Sequence, residues 1–206
     1  GKNGRRETDT MDTFFDSSWY YLRYCDNKNS KLPFDVKKVN QWMPVDQYIG
    51  GAEHACMHLL YARFFTKALR DLGFLKIDEP FIKLFNQGML HGEDGAVMSK
   101  SKGNVIIPED VSKKYGMDTA RIFLVSIASP DKDTQWSEKG IEGSLRFIHK
   151  VIDYFSNFKS LKSDVRIESK LNKTIKEVSG DISEFRYNLA VIKIRELFDY
   201  ISGKGF

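Results

Sequence analysis

Hydrophobic and polar positions along the chain change their period several times, and each change marks an element. Residues 1–12 are polar and read as loop. Thr13–Arg23 is rich in aromatics, with a break at Asp16-Ser17-Ser18, and Phe14, Trp19, Tyr20 and Tyr21 are expected to line something. Pro33 and Pro44 interrupt the turn-rich stretch 26–46. Val45–Gly51 is a short apolar run that stops at two glycines and predicts a strand. From about Glu53 to Leu72 the apolar residues Met57, Leu60, Phe64, Ala68 and Leu72 recur at helical spacing. Gly73 follows where a left-handed helix cap is expected. Residues 81–90 read as a second, buried strand. The order strand, Gly-Gly, helix, strand is a βαβ unit, which calls for a parallel sheet.

His91–Asn104 is a polar loop punctuated by glycine. Helices are predicted over Pro108–Tyr115 and Asp118–Ala128. Ser129–Trp136 is a break, taken as the domain boundary. Beyond it the pattern is wholly helical, with Leu145, Ile148, Ile152 and Phe155 on one face and Leu189, Ile192, Leu197 and Ile201 on another. The chain has no internal repeat. The expected architecture is α/β over residues 1–128, then a helical portion over 129–206.

The 206 residues suit one large or two small domains, and 41% hydrophobic with 29% charged residues is globular composition. Disordered and collagenous classes are excluded. The balance of 32 Lys+Arg against 28 Asp+Glu gives +4, which permits an acidic partner without requiring one. Two cysteines, Cys25 and Cys56, cannot build a disulfide framework and suit a reducing compartment. No apolar run is long enough for a membrane span, so a cytoplasmic protein is expected. The start lacks Met and is charged, as if cut from something longer.

Four constellations could carry chemistry. Val97-Met98-Ser99-Lys100-Ser101-Lys102-Gly103-Asn104 offers cations, hydroxyls and backbone N–H groups, which is what a polyphosphate needs. A solvated Lys/Ser loop is the plainer alternative. Tyr48-Ile49-Gly50-Gly51-Ala52-Glu53-His54, with His58, sits where a strand end meets a helix start, the usual nucleotide position in α/β sheets. His54 and His58 are four apart, a spacing that zinc sites use. The metalloprotease pattern, however, wants Glu where Ala55 stands, and no third ligand is evident. Core histidines are the remaining alternative. Thr8–Thr13 running into Asp16–Tyr21 sets small hydroxyls and a carboxylate beside large rings, which suits either a pocket or an ordinary core. Phe85–Leu90 closes on Gly88, where backbone could read an adenine edge.

These pieces, in this order, resemble the class I aminoacyl-tRNA synthetases, and among them the bacterial leucyl type. The residues that carry the likeness are RRETDTMDTF with DSSWYYLRY (5–24), PVDQYIGGAEHACMHLLYARFF (44–65), QGM (87–89), MSKSKGN (98–104), YGMDTARIFL (115–124) and SPDKDTQWSEKGIEGSLRF (129–147). Beyond about residue 158 it thins to YNLAVIKIREL (187–197). The resemblance implies the second half of a Rossmann-like parallel-sheet nucleotide-binding fold, followed by the start of a helical bundle on the anticodon side. It implies a ligase that joins leucine to ATP as leucyl-adenylate and passes it to tRNA(Leu), with Mg2+ accompanying ATP.

Carried over by position, the resemblance implies that Lys100 is catalytic and stabilises the leaving pyrophosphate. ATP contacts fall to Gly50, Gly51, Glu53, His58, Gln87, Gly88, Met89, Met98, Ser99, Lys100, Ser101 and Lys102. Leucine contacts fall to Ser18, Tyr21, Tyr48 and His54. No metal ligand is expected. Val97 replaces the first lysine of the K-M-S-K-S signature, with Lys102 as a substitute cation, and the 91–96 loop is short where many relatives carry an inserted module. The H-I-G-H signature and the editing domain are absent from these residues. The expected partner is therefore the remaining N-terminal part of the same enzyme, and the chain alone, expected as a monomer, is expected to be inactive. Two other readings stay open: a valine, isoleucine or methionine synthetase, and a non-catalytic RNA-binding module. The second would use Lys150, Lys159, Lys162, Lys170, Lys173, Lys176 and Lys193, though acids interleave with them.

Overall fold

The computed structural model describes residues 4–158 and 164–203. Its contacts divide the chain into two compact units, residues 1–87 and 88–206.

The first unit opens with two short helices, α1 (Thr13–Asp16) and α2 (Tyr20–Tyr24). Asp12 caps α1 by accepting from the Phe14 N–H at 2.8 Å. Helix α3 (Val36–Trp42) starts at Asp35, whose carboxylate accepts from the N–H groups of Lys37 and Lys38. Strand β1 (Val45–Gly51) runs into a tight 3-10 turn over Ala52–Cys56, and α4 (His58–Asp71) follows. Helix α4 ends as expected, with Gly73 at φ +84°. Strand β2 (Phe81–Gln87) pairs parallel with β1, from Val45 opposite Phe81 to Gly51 opposite Gln87. The βαβ unit is therefore present.

Two details differ from the sequence expectation. The predicted helix over 53–72 is a 3-10 turn followed by α4, and its buried face is His58, Leu59, Ala62 and Thr66. The stripe read from the sequence points outward, with Leu60 at 57% and Phe64 at 71% exposed. Helix α4 is apolar on two sides, and its period alone does not say which side the core takes. Tyr21 decides it, donating from its hydroxyl to the Ala62 carbonyl at 3.1 Å and lying 3.0 Å from the Thr66 hydroxyl. Around that contact Leu22, Phe34, Val39, Met43 and Leu75 form the core. Strand β2 is also shorter than predicted and is not buried, since Ile82 and Leu84 are exposed.

The second unit holds β3 (Leu90–His91), α5 (Pro108–Tyr115), α6 (Met117–Ser126) and β4 (Thr134–Gln135). The long helices α7 (Glu138–Ser156), α8 (Val165–Ser183) and α9 (Tyr187–Ser202) follow. Proline at the first position of α5 and glycine after its end, Gly116 at φ +80°, set its limits. Strand β4 pairs parallel with β3, which draws 134–135 back onto 90–91. Residues 129–136, read as a break in the sequence, are thus packed structure, and the compact units of the fold divide after Gln87. Phe123, Trp136 and Ile141 centre the core, each burial contributing roughly 1.5–3 kcal/mol. The faces of α7 and α9 expected to be apolar contacts are only partly covered. Leu145, Ile148, Leu197 and Ile201 are half-buried, while Ile152, Phe155, Leu189 and Ile192 are exposed. Asp181 is buried near the α8–α9 turn and ion-paired with Arg186 and Lys193. Among the described residues no helix is long and apolar enough to cross a membrane.

Candidate functional site

In the first unit the candidate residues gather at the C-terminal end of β1. Gly50 and Gly51 end the strand, and the 3-10 turn brings His54 beside the first residue of α4, His58. The His58 ring lies 5.6 Å from Tyr48, 5.7 Å from Tyr20 and 6.3 Å from His54. Phe14 adds an edge contact to His54 at 6.4 Å. His58 is only 5% exposed, and neither of its nitrogens has a hydrogen-bond partner; nor does Nδ1 of His54. Buried imidazole nitrogens normally find a partner, so this cluster has polar capacity to offer. Burial, helped by His54, lowers the His58 pKa and favours the neutral ring. Burial likewise raises the Tyr20 and Tyr48 hydroxyls, with each affecting the other.

Glu53 folds back over Gly51, where a Cβ would come within 2.5 Å of its carboxylate. Glycine therefore leaves room for that carboxylate at the strand end, and Glu53 remains exposed. Ser18 and Tyr21, expected with leucine, adjoin this cluster without touching the histidines: the Tyr21 ring lies 5.5 Å from Tyr20 and 5.2 Å from Phe81, which in turn lies 4.6 Å from Tyr48. Ser18 is buried and donates to the Phe14 carbonyl at 2.6 Å, and the Tyr21 hydroxyl is engaged by α4. The rings of this segment in direct contact with the histidines are Tyr20 and Phe14. The aromatic-rich segment pointed to both in the sequence, but nothing there said which of its rings turn toward α4.

In the second unit, Gly88 and Met89 have their backbone N–H groups already engaged. Gly88 donates to the Pro130 carbonyl at 2.8 Å and Met89 to the Asp133 carboxylate at 2.7 Å. A Cβ on Gly88 would sit 2.2 Å from the Lys132 backbone, so this approach requires glycine. Those N–H groups are not free to read an adenine edge, whereas the Met89 side chain is exposed. Gln87, the last residue of β2, is exposed.

The lysine loop is a small built structure. Val97 bridges back to His91, and Lys100–Lys102 form one 3-10 turn closed by Gly103 at φ +68°. The Ser99 and Ser101 hydroxyls share a hydrogen bond at 2.6 Å. Met98 is half-buried. Among the described residues neither Lys100 nor Lys102 forms an ion pair, so both ammonium groups are available to an anion. Of the helical lysines, Lys150, Lys173 and Lys193 pair with Asp199, Glu177 and Asp181. Lys159 and Lys162 lie outside the described residues. Among the described residues no three His, Cys, Asp or Glu side chains group as metal ligands would.

Known proteins supply the context. Residues 2–137 match the family model described as tRNA synthetases class I (I, L, M and V). The leucine--tRNA ligase of Citrifermentans bemidjiense is 50% identical over 98% of this chain, which spans 26% of that relative. The leucine--tRNA ligase of Thermotoga maritima is 47% identical over 98% of the chain, again 26% of its own length. Among solved structures, the Agrobacterium radiobacter LeuRS in a ternary complex with tRNA and LeuAMS superposes with a TM-score of 0.89 at 36% identity, over 97% of this chain and 28% of that one. A Mycobacterium tuberculosis methionyl-tRNA synthetase bound by methionyl-adenylate shares the fold, with a TM-score of 0.66 at 19% identity over 89% of this chain and 37% of its own. The chain thus spans about a quarter of the curated relatives it matches.

Proposed function

Because the chain belongs to the class I tRNA synthetases (I, L, M and V), we propose that it is the part of a leucine–tRNA ligase that supplies the leucine pocket and the lysine loop. The observation that carries this reading is the 50% identity to a leucine--tRNA ligase, sustained across 98% of the chain.

In the reaction, a leucine carboxylate oxygen forms a bond to the α-phosphorus of ATP. The bond from that phosphorus to the bridging β-oxygen breaks, and pyrophosphate leaves with the electron pair. Lys100 is the catalytic residue, meeting the charge that grows on the leaving group, and Lys102 stands in for the cation that Val97 does not provide. Tyr48, His54, Tyr20 and Phe14 form the wall for the leucine side chain. His58 belongs with them: its contacts are to the same rings, and a neutral imidazole adds no charge to an apolar pocket. Glu53, beside Gly50 and Gly51, accepts from ribose hydroxyls. Gln87, Gly88, Met89 and Met98 form the adenine side, through side chains and carbonyls rather than the engaged N–H groups. Ser99 and Ser101 offer hydroxyls to phosphate. Mg2+ would accompany ATP, held chiefly by the phosphates and water, since among the described residues no three His, Cys, Asp or Glu side chains group around a metal position.

The remaining N-terminal part of the enzyme is the proposed partner. Parallel sheets are normally covered on both faces, yet Ile49, Ile82 and Leu84 on the two strands are exposed, as are Leu60 and Phe64 on α4. The match over 2–137 supports a functional boundary just beyond 128, with 129–206 opening the helical tRNA-side region. The assembled enzyme is proposed to be cytoplasmic and monomeric and to act on tRNA(Leu). The test is leucine-dependent ATP–pyrophosphate exchange on the chain alone and on the chain mixed with that N-terminal part. Exchange is expected only in the mixture and is lost with Lys100→Ala. An associated mixture that exchanges with no amino acid refutes the reading, and preference for valine, isoleucine or methionine refutes the leucine assignment.

A further inference from the structure

The lysine loop is tied by a side-chain knot between Asn104, the last residue of the MSKSKGN run, and Asp94, which precedes that run. The Asn104 amide accepts from the Ser99 N–H at 2.8 Å, and its NH2 group donates to the Asp94 carboxylate at 3.1 Å and to the Val97 carbonyl at 3.3 Å. Asp94 in turn accepts from the Ala96 N–H at 3.0 Å, closing the hairpin in which Gly92 donates to the Ala96 carbonyl at 2.9 Å. Gly92 is buried at this point. A Cβ there would lie 2.8 Å from the Asp94 carboxylate, 3.2 Å from the Asn104 carbonyl oxygen and 3.3 Å from its amide nitrogen. The hairpin is also fixed on its other side, where Glu93 accepts from the Glu138 N–H at the start of α7 and from the Gln135 amide.

We propose that Asp94 and Asn104 are positioning residues whose clasp holds the Lys100–Lys102 turn in one conformation, ready for the leaving polyphosphate anion. The inference rests on the reading of the lysine loop given above. A flexible lysine has to be ordered at the moment charge develops, whereas a turn already fixed at both ends places its ammonium groups beforehand. Asn104 suits this work because one planar amide ties three points of the loop at once: Ser99, Val97 and Asp94. The Asp94 carboxylate is itself held by the Ala96 N–H and the Asn104 amide, and neither bond uses a lysine that an incoming phosphate would have to displace.

The test has two arms. In the chain itself, hydrogen exchange of the Ser99–Lys102 amides is compared between wild type and Asn104→Ala. Acceleration of about tenfold or more is expected, and unchanged exchange overturns the clasp. In the exchange-competent mixture, Asp94→Ala, Asn104→Ala and the double variant are assayed beside Asp94→Asn, which keeps an acceptor oxygen. Each alanine variant is expected to lower the exchange kcat by at least about tenfold with the leucine KM within about twofold. The double variant falls no further than the worse single, since both act through one knot, and Asp94→Asn stays close to wild type. Gly92→Ala, which keeps every polar group of the knot but drives a methyl against the Asp94 carboxylate and the Asn104 amide, is expected to show the same kcat loss. Wild-type kcat in Asp94→Ala, multiplicative losses in the double variant, or a leucine KM rising in step overturns the proposal. Lys100→Ala separates the two readings. If it abolishes exchange while Asp94→Ala does not matter, only the clasp fails. If Lys100→Ala remains active, the lysine-loop reading fails and the clasp's role falls with it.

Discussion

Replacing Tyr21 by Phe removes one oxygen from the core of the first unit and leaves the ring, so it isolates what the hydroxyl does. That hydroxyl donates to the Ala62 carbonyl at 3.1 Å and lies 3.0 Å from the Thr66 hydroxyl, in a residue 4% exposed. Two neutral hydrogen bonds would suggest about 1–3 kcal/mol. The lower end applies, because both partners have a fallback. Thr66 and Ala62 are four apart on α4, so the Thr66 hydroxyl can turn to the Ala62 carbonyl once the phenol is gone. A loss of about 1 kcal/mol is expected. With m of roughly 1–3 kcal/mol/M in urea, the midpoint moves down by about 0.3–1 M with the slope unchanged.

The same burial pushes the Tyr21 pKa up to about 12, against about 10 in an unfolded chain. Between those values the unfolded chain has released a proton that the folded chain retains, so stability is intact below about pH 10 and falls as pH rises toward about 12. Tyr21→Phe should flatten that fall. Leucine KM in the exchange assay should stay within about twofold, because the hydroxyl is taken up by Ala62 and Thr66, further along α4 than His58. A variant with an unmoved urea midpoint and a leucine KM raised tenfold would refute this placement of Tyr21.

The surrounding structure makes two further predictions. Gly88→Ala forces a methyl against the Lys132 backbone, and overpacking of this kind costs about 1–3 kcal/mol; thermal unfolding should show it, and an unchanged Tm would contradict the close approach. Phe64→Ser, at a side chain 71% exposed, should leave the urea midpoint of the chain within about 0.3 M while weakening binding to the N-terminal part, read by titration calorimetry. Equal affinity for wild type and variant would remove α4 from that interface.

How much of this could be read from the residues depends on the range of the interaction involved. Caps and stops are local, so Gly73 after α4, Pro108 at the start of α5 and the parallel β1–β2 pair were all visible in the sequence pattern. The buried face of α4 was not, since Leu60 and Phe64 are as apolar and as regularly spaced as Leu59 and Ala62. The choice between the faces belongs to Tyr21, some forty residues earlier in the chain. Part of the exposed face is itself informative. Under the proposed function, this periodic but uncovered stripe is the face that meets the remaining N-terminal part of the enzyme.

The candidate site divides along the same line. Residues proposed to act through their own chemistry, such as Lys100, Glu53 and His54, stand out by type and local spacing. His58 was visible as a histidine four residues from His54, but its enclosure by Tyr20 and Tyr48 joins three separate segments. Asp94 and Asn104 are the extreme case. Each is an ordinary loop residue by composition, no period links positions ten apart in an irregular loop, and neither carries the charge that phosphate would seek. Their importance comes from what they fix in place. A residue that positions another leaves its trace in hydrogen-bond geometry, here the double use of one amide, and in the neighbour that must stay small to allow it, Gly92.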